Sequence, residues 1–368
     1  MGTINGDAMQ RERIRKIIGC FIAACVISGC GGKKTENTVL SLQAPAHVKE
    51  ESAPYFTVDA EVTTDQPKEL YSYRAAYEMP DGDKLKDVFM PEEEECVTEY
   101  VPEFDRYVCE SKDGKKRAST AIGTSFQNKE YSYYYALLLT SDMYHMFPES
   151  FPDIKTVKEL PFADREKATG TVRKTAEKLD ICLAEEPFVF EGIDAEGLLA
   201  LYQKEIEVAG EEGIEKYLSD FEVQPDMGCY YMLWRVLTPH GEVFRNGNMD
   251  IGGKMGMDGA YVMAIYSPGG MTCFQANAVF AYEGEERVRQ ILSVDEALEQ
   301  VEELYGNAIL TEKDAITITE IALDYVPVLR DVEKGIYDIL PAWCMYGTSG
   351  GGDFSFFVMV DAQTGDIL

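Results

Sequence analysis

The sequence predicts an α+β fold: an N-terminal antiparallel β region, then two units that each join a helix to an antiparallel sheet. Three observations predict it. Short runs alternating apolar and polar residues fill positions 55–160, separated by turn signals such as DGD at 81–83 and KDGKK at 112–116. Two amphipathic helical patterns follow in the second half, each succeeded by strand patterns. The strands after one helix echo those after the other, down to the placement of the chain's two tryptophans.

Residues 1–29 come first. Arg11, Arg13, Arg15 and Lys16 precede an apolar or small run from Ile17 to Ile27. A membrane-spanning helix needs about 20 apolar residues, so this shorter core behind a basic head reads as a secretory signal. Ile27-Ser28-Gly29-Cys30 resembles the lipobox of bacterial lipoproteins. The resemblance implies a diacylglycerol thioether and palmitate on Cys30, and cleavage of the signal just before it. Met1 and Met9 both remain as starts. Cys20 and Cys25 have no interleaved histidine or carboxylate and do not read as metal ligands.

Residues 30–54 are polar and aperiodic, a flexible tether between lipid and fold. Residues 55–160 form the β-rich domain, with YFTVDAEVTT, ELYSYRAAYEM, CVTEYV, RASTAIGTSF and EYSYYYALLLT as its strands. Residues 161–290 form the first helix-plus-sheet unit. Its helix opens at Asp164 and puts Ala168, Val172, Ala176 and Leu179 on one face.

Residues 291–368 form the second unit. Ser293 and Glu296 make an S-x-x-E capping box, and Val294, Ala297, Leu298, Val301 and Leu304 supply the buried stripe. YYMLWRV with Trp234 corresponds to ILPAWCMY with Trp343, and YVMAIYSPGG to FVMVDAQTGD. That alignment sets Gly269 opposite Gly365, where a hairpin turn wants positive φ. The NGNMDIGGKMGMDG segment reads as an inserted loop.

The run ITEIALDYVPV, then GIYDILPAWCMYG and FFVMVDAQTGDIL, resembles the last strands of PepSY-like domains and of the YycH and YycI regulatory proteins. The whole chain is similar to uncharacterised lipoproteins of Firmicutes. These resemblances imply a non-catalytic extracytoplasmic module that binds or restrains another exported or membrane protein.

Charge narrows the partners. The formal net charge is −31, and loss of residues 1–29 removes two net positive charges to leave −33. Such a surface repels nucleic acid and anionic lipid heads and attracts cations and basic partners. The membrane is expected only through the lipid on Cys30, at the outer face of the cytoplasmic membrane.

Six cysteines lie beyond Cys30. Cys96 and Cys109 flank VTEYVPEFDRYV, for which two readings stand side by side. A hairpin carries them into a disulfide, or they are buried free thiols in strands. Cys182, Cys229, Cys273 and Cys344 sit in apolar runs and read as core.

No catalytic constellation emerges. His47, His145 and His240 share no metal-ligand spacing, and no nucleophile elbow is present. Asp81, Asp83, Asp87 and Glu92 match calcium-loop positions, but Lys86 replaces the glycine of the sharp turn, so this stretch reads as a polar hairpin turn. The glycine runs at 252–253 and 350–352 lack the phosphate-loop pattern. Tyr131, Tyr133, Tyr134 and Tyr135 read as half-buried strand residues. No catalytic residue, metal ligand or cofactor is expected. The alternatives are a cell-surface hydrolase built on His145 or His240, and a solute-binding lipoprotein, which needs parallel sheets.

Overall fold

Alternation sets the strands. In FTVDAEVT, Phe56, Val58 and Ala60 are buried while the residues between them stay half-exposed, as a sheet with one face on a core requires. The computed structural model describes residues 44–67, 69–77, 80–92, 95–102, 106–120, 123–140, 155–209, 222–242, 249–251, 254–257, 261–277, 280–306, 311–331, 334–350 and 354–368. All the elements below belong to one structural unit.

Strands β1 (His47–Ala53), β2 (Phe56–Thr63) and β3 (Tyr71–Tyr77) lead to helix α1 (Gly82–Phe89). Strands β4 (Cys96–Val101), β5 (Arg106–Ser111), β6 (Lys116–Thr120) and β7 (Gly123–Asn128) follow, then helices α2 (Ser132–Thr140) and α3 (Arg165–Lys178). Strand β8 (Val189–Asp194) precedes α4 (Ala195–Ala209) and β9 (Gly228–Arg235). A ribbon of β10 (Met249–Ile251) and β11 (Lys254–Met257) comes before β12 (Tyr261–Ser267), β13 (Gly270–Asn277) and β14 (Phe280–Arg287). Helix α5 (Val294–Gly306) and strands β15 (Ile316–Asp331), β16 (Ile336–Ser349) and β17 (Phe354–Asp361) complete the order.

The fold is mixed, sheet-dominated, and built on two large sheets. The first has the order β1-β2-β15-β16-β3-β14, with β17 also paired to β16. The second runs β4-β5-β6-β7-β13-β12-β9-β8. Pairing is antiparallel except between β2 and β15, which run parallel.

The three successive segments expected from sequence are therefore not laid out as separate sheets. β2 pairs with β15 and β3 with β16, while β7 pairs with β13. Each helix-plus-sheet unit on its own leaves strand edges with unsatisfied backbone groups, and N-terminal strands occupy them. The echo between the units survives in strand pairing and not in register. β9 with Trp234 pairs with β12, and β16 with Trp343 pairs with β17. Trp234 lies opposite Val262, whereas Trp343 lies opposite Val360, two residues past Val358, the counterpart of Val262. Helix α3 packs on β13, and α5 on β17 and β1.

One core cluster draws on both sheets, with Val58, Ile318 and Trp343 from the first and Met232, Trp234 and Phe274 from the second. Helices α1, α3 and α5 add Leu85, Val172 and Val301. The opposite face of the second sheet is covered by Leu137 and Leu138 of α2 and Leu198 and Leu201 of α4. β9 is thus buried on both faces, which explains its unbroken apolar run rather than an alternation.

Several expectations need correction. The tether was expected to reach residue 54, but His47–Ala53 forms β1, held because Val48 packs on the core and His47 sits opposite Glu61. Asp81 caps α1 by accepting from the Lys84 N–H at 2.8 Å, so the expected polar turn is a helix burying Leu85 and Phe89 four residues apart. The tyrosine run lies in a 3-10 turn and α2 instead of a strand. An uninterrupted apolar run fits either structure, and here it is sandwiched.

The inserted segment at 246–259 contains the β10–β11 ribbon. Gly365 has φ +81, but in the partner turn Gly270, with φ +83, takes that role in place of Gly269. Gly269 is small for another reason: a Cβ there would meet the Tyr131 ring at 2.4 Å. Leu304 is exposed, on the far side of the α5 stripe, and Cys182 is exposed as well.

Candidate functional site

Strand β4 closes one edge of the second sheet, and its sequence does not blunt that edge fully. Val97, Glu99 and Val101 oppose Glu110, Val108 and Arg106 on one face; Cys96, Thr98 and Tyr100 oppose Ser111, Cys109 and Tyr107 on the other. Helix α1 approaches the second face at Thr98 so closely that a Cβ on Gly82 would run into Thr98 Cγ2, while Thr98 and Tyr100 stay exposed. Glycine is required there by approach rather than by backbone angle.

On the first face Val97 is 66% exposed and Glu99 is exposed as well; Tyr100, on the second face at the end of the hairpin, is 46% exposed. Beside Val97 lies a concavity of about 280 Å³ lined by Glu99, Val108, Glu110, Ser111, Lys112 and Gly114. Strands β4 and β5 line it together with the β5–β6 turn. Gly114 adopts φ +71, its N–H donates to the Ser111 carbonyl at 2.8 Å, and the Ser111 hydroxyl donates to Asp113 at 2.7 Å. Glu110 is fixed by Lys129 at 2.6 Å and Glu95 by Lys112. The arrangement presents a strand edge, the exposed Val97 side chain and a polar-rimmed hollow beside it. That is equipment for holding an extended chain.

The structure carries Cys96 and Cys109 as free thiols. They lie on paired strands and on one face, one diagonal step apart in the register. Burial pushes the Cys109 thiol up, and the Thr98 hydroxyl, 3.7 Å from its sulfur, opposes that.

A second polar cluster joins the two sheets. The turn after β9 brings Glu242, fully buried, against β3 and β15. Tyr73 donates to it at 2.6 Å, the Tyr71 N–H at 3.0 Å, Tyr325 at 3.5 Å, and Thr238 bonds the same oxygen as Tyr73. Burial pushes the Glu242 carboxyl above its ordinary value; the Tyr73 bond and the backbone N–H groups of Glu242 and Tyr71 pull against that. Next to it, His240 stacks on Tyr71 with centroids 3.9 Å apart and pairs with Glu285 at 2.9 Å on the surface.

This cluster is a structural clamp. His240 has a carboxylate within reach, as the hydrolase reading requires, but the pair sits in the open, with side chains 38% and 51% exposed, and among the described residues its ring hydrogen-bonds to Glu285 and to no serine or cysteine. His47 pairs with Asp59 at 2.8 Å on β1–β2. Cys30 and His145 lie outside the described residues. Among the described residues no group of three or more metal-ligating side chains comes together, and no helix is long and apolar enough to cross a membrane. The edge character of β4 was not legible in sequence, because which strand ends a sheet depends on distant pairings. The Glu242 clamp left one trace: a lone glutamate just after an apolar strand.

No family model matches the chain, and no curated protein does. A crystal structure of an uncharacterised protein from Eubacterium rectale is similar over 88% of this chain and 93% of that one, with a TM-score of 0.56 and 14% identity. At that identity the likeness speaks for the fold alone. The C-terminal domain of Bacillus megaterium YpeB aligns over 78% of this chain and 93% of that domain at 11% identity, but its TM-score of 0.29 supports no argument.

Proposed function

We propose that the chain is a lipid-anchored, extracytoplasmic, non-catalytic binding protein that takes an extended segment of another exported or membrane protein along the free edge of β4. The exposed edge carries the reading. β4 ends its sheet while presenting Val97 at 66% exposure beside a polar-rimmed hollow. An incoming strand satisfies the edge's backbone groups, and side chains entering the hollow supply selectivity. The net charge of −31 favours a basic partner.

The anchor rests on the basic head, the short apolar core and the small residues before Cys30. Its test is fatty-acid labelling with membrane fractionation of the full chain and of Cys30→Ala. The expected result is label and membrane partition for the parent, with both lost in the variant. A variant that still takes up label and stays with membranes overturns the anchor.

A further inference from the structure

We propose that Cys96 and Cys109 form a reversible disulfide that fastens the edge strand β4 to β5. The register places the pair. Cys96 stands opposite Ser111, and Thr98 opposite Cys109, so the two cysteines share one face a single diagonal step apart. Diagonal neighbours in an antiparallel pair are roughly 7–8 Å apart at Cα. A disulfide usually spans about 4.4–6.8 Å. Closure therefore draws β4 inward by about 1 Å, which an edge strand with a single strand neighbour accommodates better than an interior one. The resulting strain makes the bond readily reduced, a property of switching rather than structural disulfides.

The other described thiols offer no competing pair. Cys229 and Cys273 lie on β9 and β13, which are separated by β12, Cys344 lies on β16 in the other sheet, and Cys182 lies outside the named strands. The two partners have distinct tasks. Cys96 is half-buried and meets the oxidant; Cys109 is fully buried and does not. The oxidant is a disulfide, either a small-molecule one or that of a thiol oxidoreductase.

Cys96 attacks one sulfur of that disulfide and displaces the other as a thiol. Cys109 then gives up its proton, attacks the Cys96 sulfur and displaces the second thiol. Two protein thiols are oxidised and one external disulfide is reduced to two thiols. An exported location supplies such oxidants. Oxidation holds Val97 and Tyr100 in a fixed register; reduction releases the edge.

The test is made on the purified full chain, without any partner, so its outcome is separable from that of the docking reading. The protein is equilibrated in buffers of varied oxidised-to-reduced glutathione ratio, quenched, alkylated and mapped by peptide mass. The expected result is a Cys96–Cys109 crosslink that rises with the oxidised fraction and reverts in excess reduced glutathione. Cys109→Ala is expected to accumulate a glutathione adduct on Cys96, and Cys96→Ser neither adduct nor crosslink at these positions. Absence of the crosslink in excess oxidised glutathione, or a crosslink that survives excess reduced glutathione, overturns the proposal.

Discussion

The phenol of Tyr73 on β3 donates a 2.6 Å hydrogen bond to the carboxyl group of Glu242, which enters from the turn following β9 in the other sheet. The bond ties the two sheets through groups that are both buried. Removing one partner leaves the other desolvated and short of a bond, which is costlier than the bond's net worth.

That clamp carries a pH signature. Glu242 has its carboxyl raised in the folded chain by burial, so folding disfavours its ionisation. The stability it contributes is fully present below the unfolded glutamate value, about 4.3, and is lost as pH rises through the higher folded value. Glu242→Gln keeps a neutral hydrogen-bonding group at the site. Urea unfolding from about pH 4 to neutrality is expected to show the parent losing stability relative to Glu242→Gln as pH rises. Parallel curves for the two proteins would contradict the assignment.

The echoing tryptophans are not equivalent. Trp343 Nε1 donates to the Leu292 carbonyl at 2.9 Å, just ahead of the α5 cap, whereas Trp234 Nε1 has no partner among the described residues. Both rings are buried, so Trp→Phe removes similar packing at each. Trp343→Phe is expected to cost about 1 kcal/mol more than Trp234→Phe, the worth of a typical hydrogen bond. Denaturant midpoints with unchanged m-values measure it, and equal costs refute it.

At Gly82 the constraint is space. Any Cβ there runs into Thr98 Cγ2 across the α1–β4 contact. Gly82→Ala is expected to cost about 1–3 kcal/mol, the usual penalty of overpacking, and much less when Thr98→Ser removes the methyl. A double-mutant cycle reads the coupling. The same cost in both backgrounds shows that the clash is not what fixes the glycine.

Local signals were legible and long-range ones were not. Ser293 and Glu296 make both capping-box bonds, with Ser293 N–H to Glu296 at 2.8 Å and Glu296 N–H to Ser293 Oγ at 3.2 Å. Ala168, Val172, Ala176 and Leu179 are buried along the first helix as their spacing requires. Each of these is settled within one or two helical turns.

α1 and α4 were missed although their caps are written in the chain. Asp81 accepts from the Lys84 N–H and Asp194 from the Gly197 N–H at 3.0 Å. Asp81, which matches a calcium-loop position, acts as a helix cap, and Asp194 does the same at α4, a helix absent from the sequence expectations. The merging of three segments into two sheets was beyond reach, since Ile316 meets Phe56 and Ile336 meets Ala76 only after long loops have closed. The candidate edge inherits that limit: nothing in CVTEYV distinguishes a terminal strand from an interior one.

The docking edge is tested most directly by placing a photo-crosslinking residue at Val97 in the full chain, illuminating intact cells, and comparing it with the same residue at the distant, exposed Glu186 on the segment before β8. One recurrent protein adduct is expected at position 97, absent at 186 and reduced when the charge beside it is reversed by Glu99→Lys. No adduct at 97, or the same set of adducts at both positions, would contradict it.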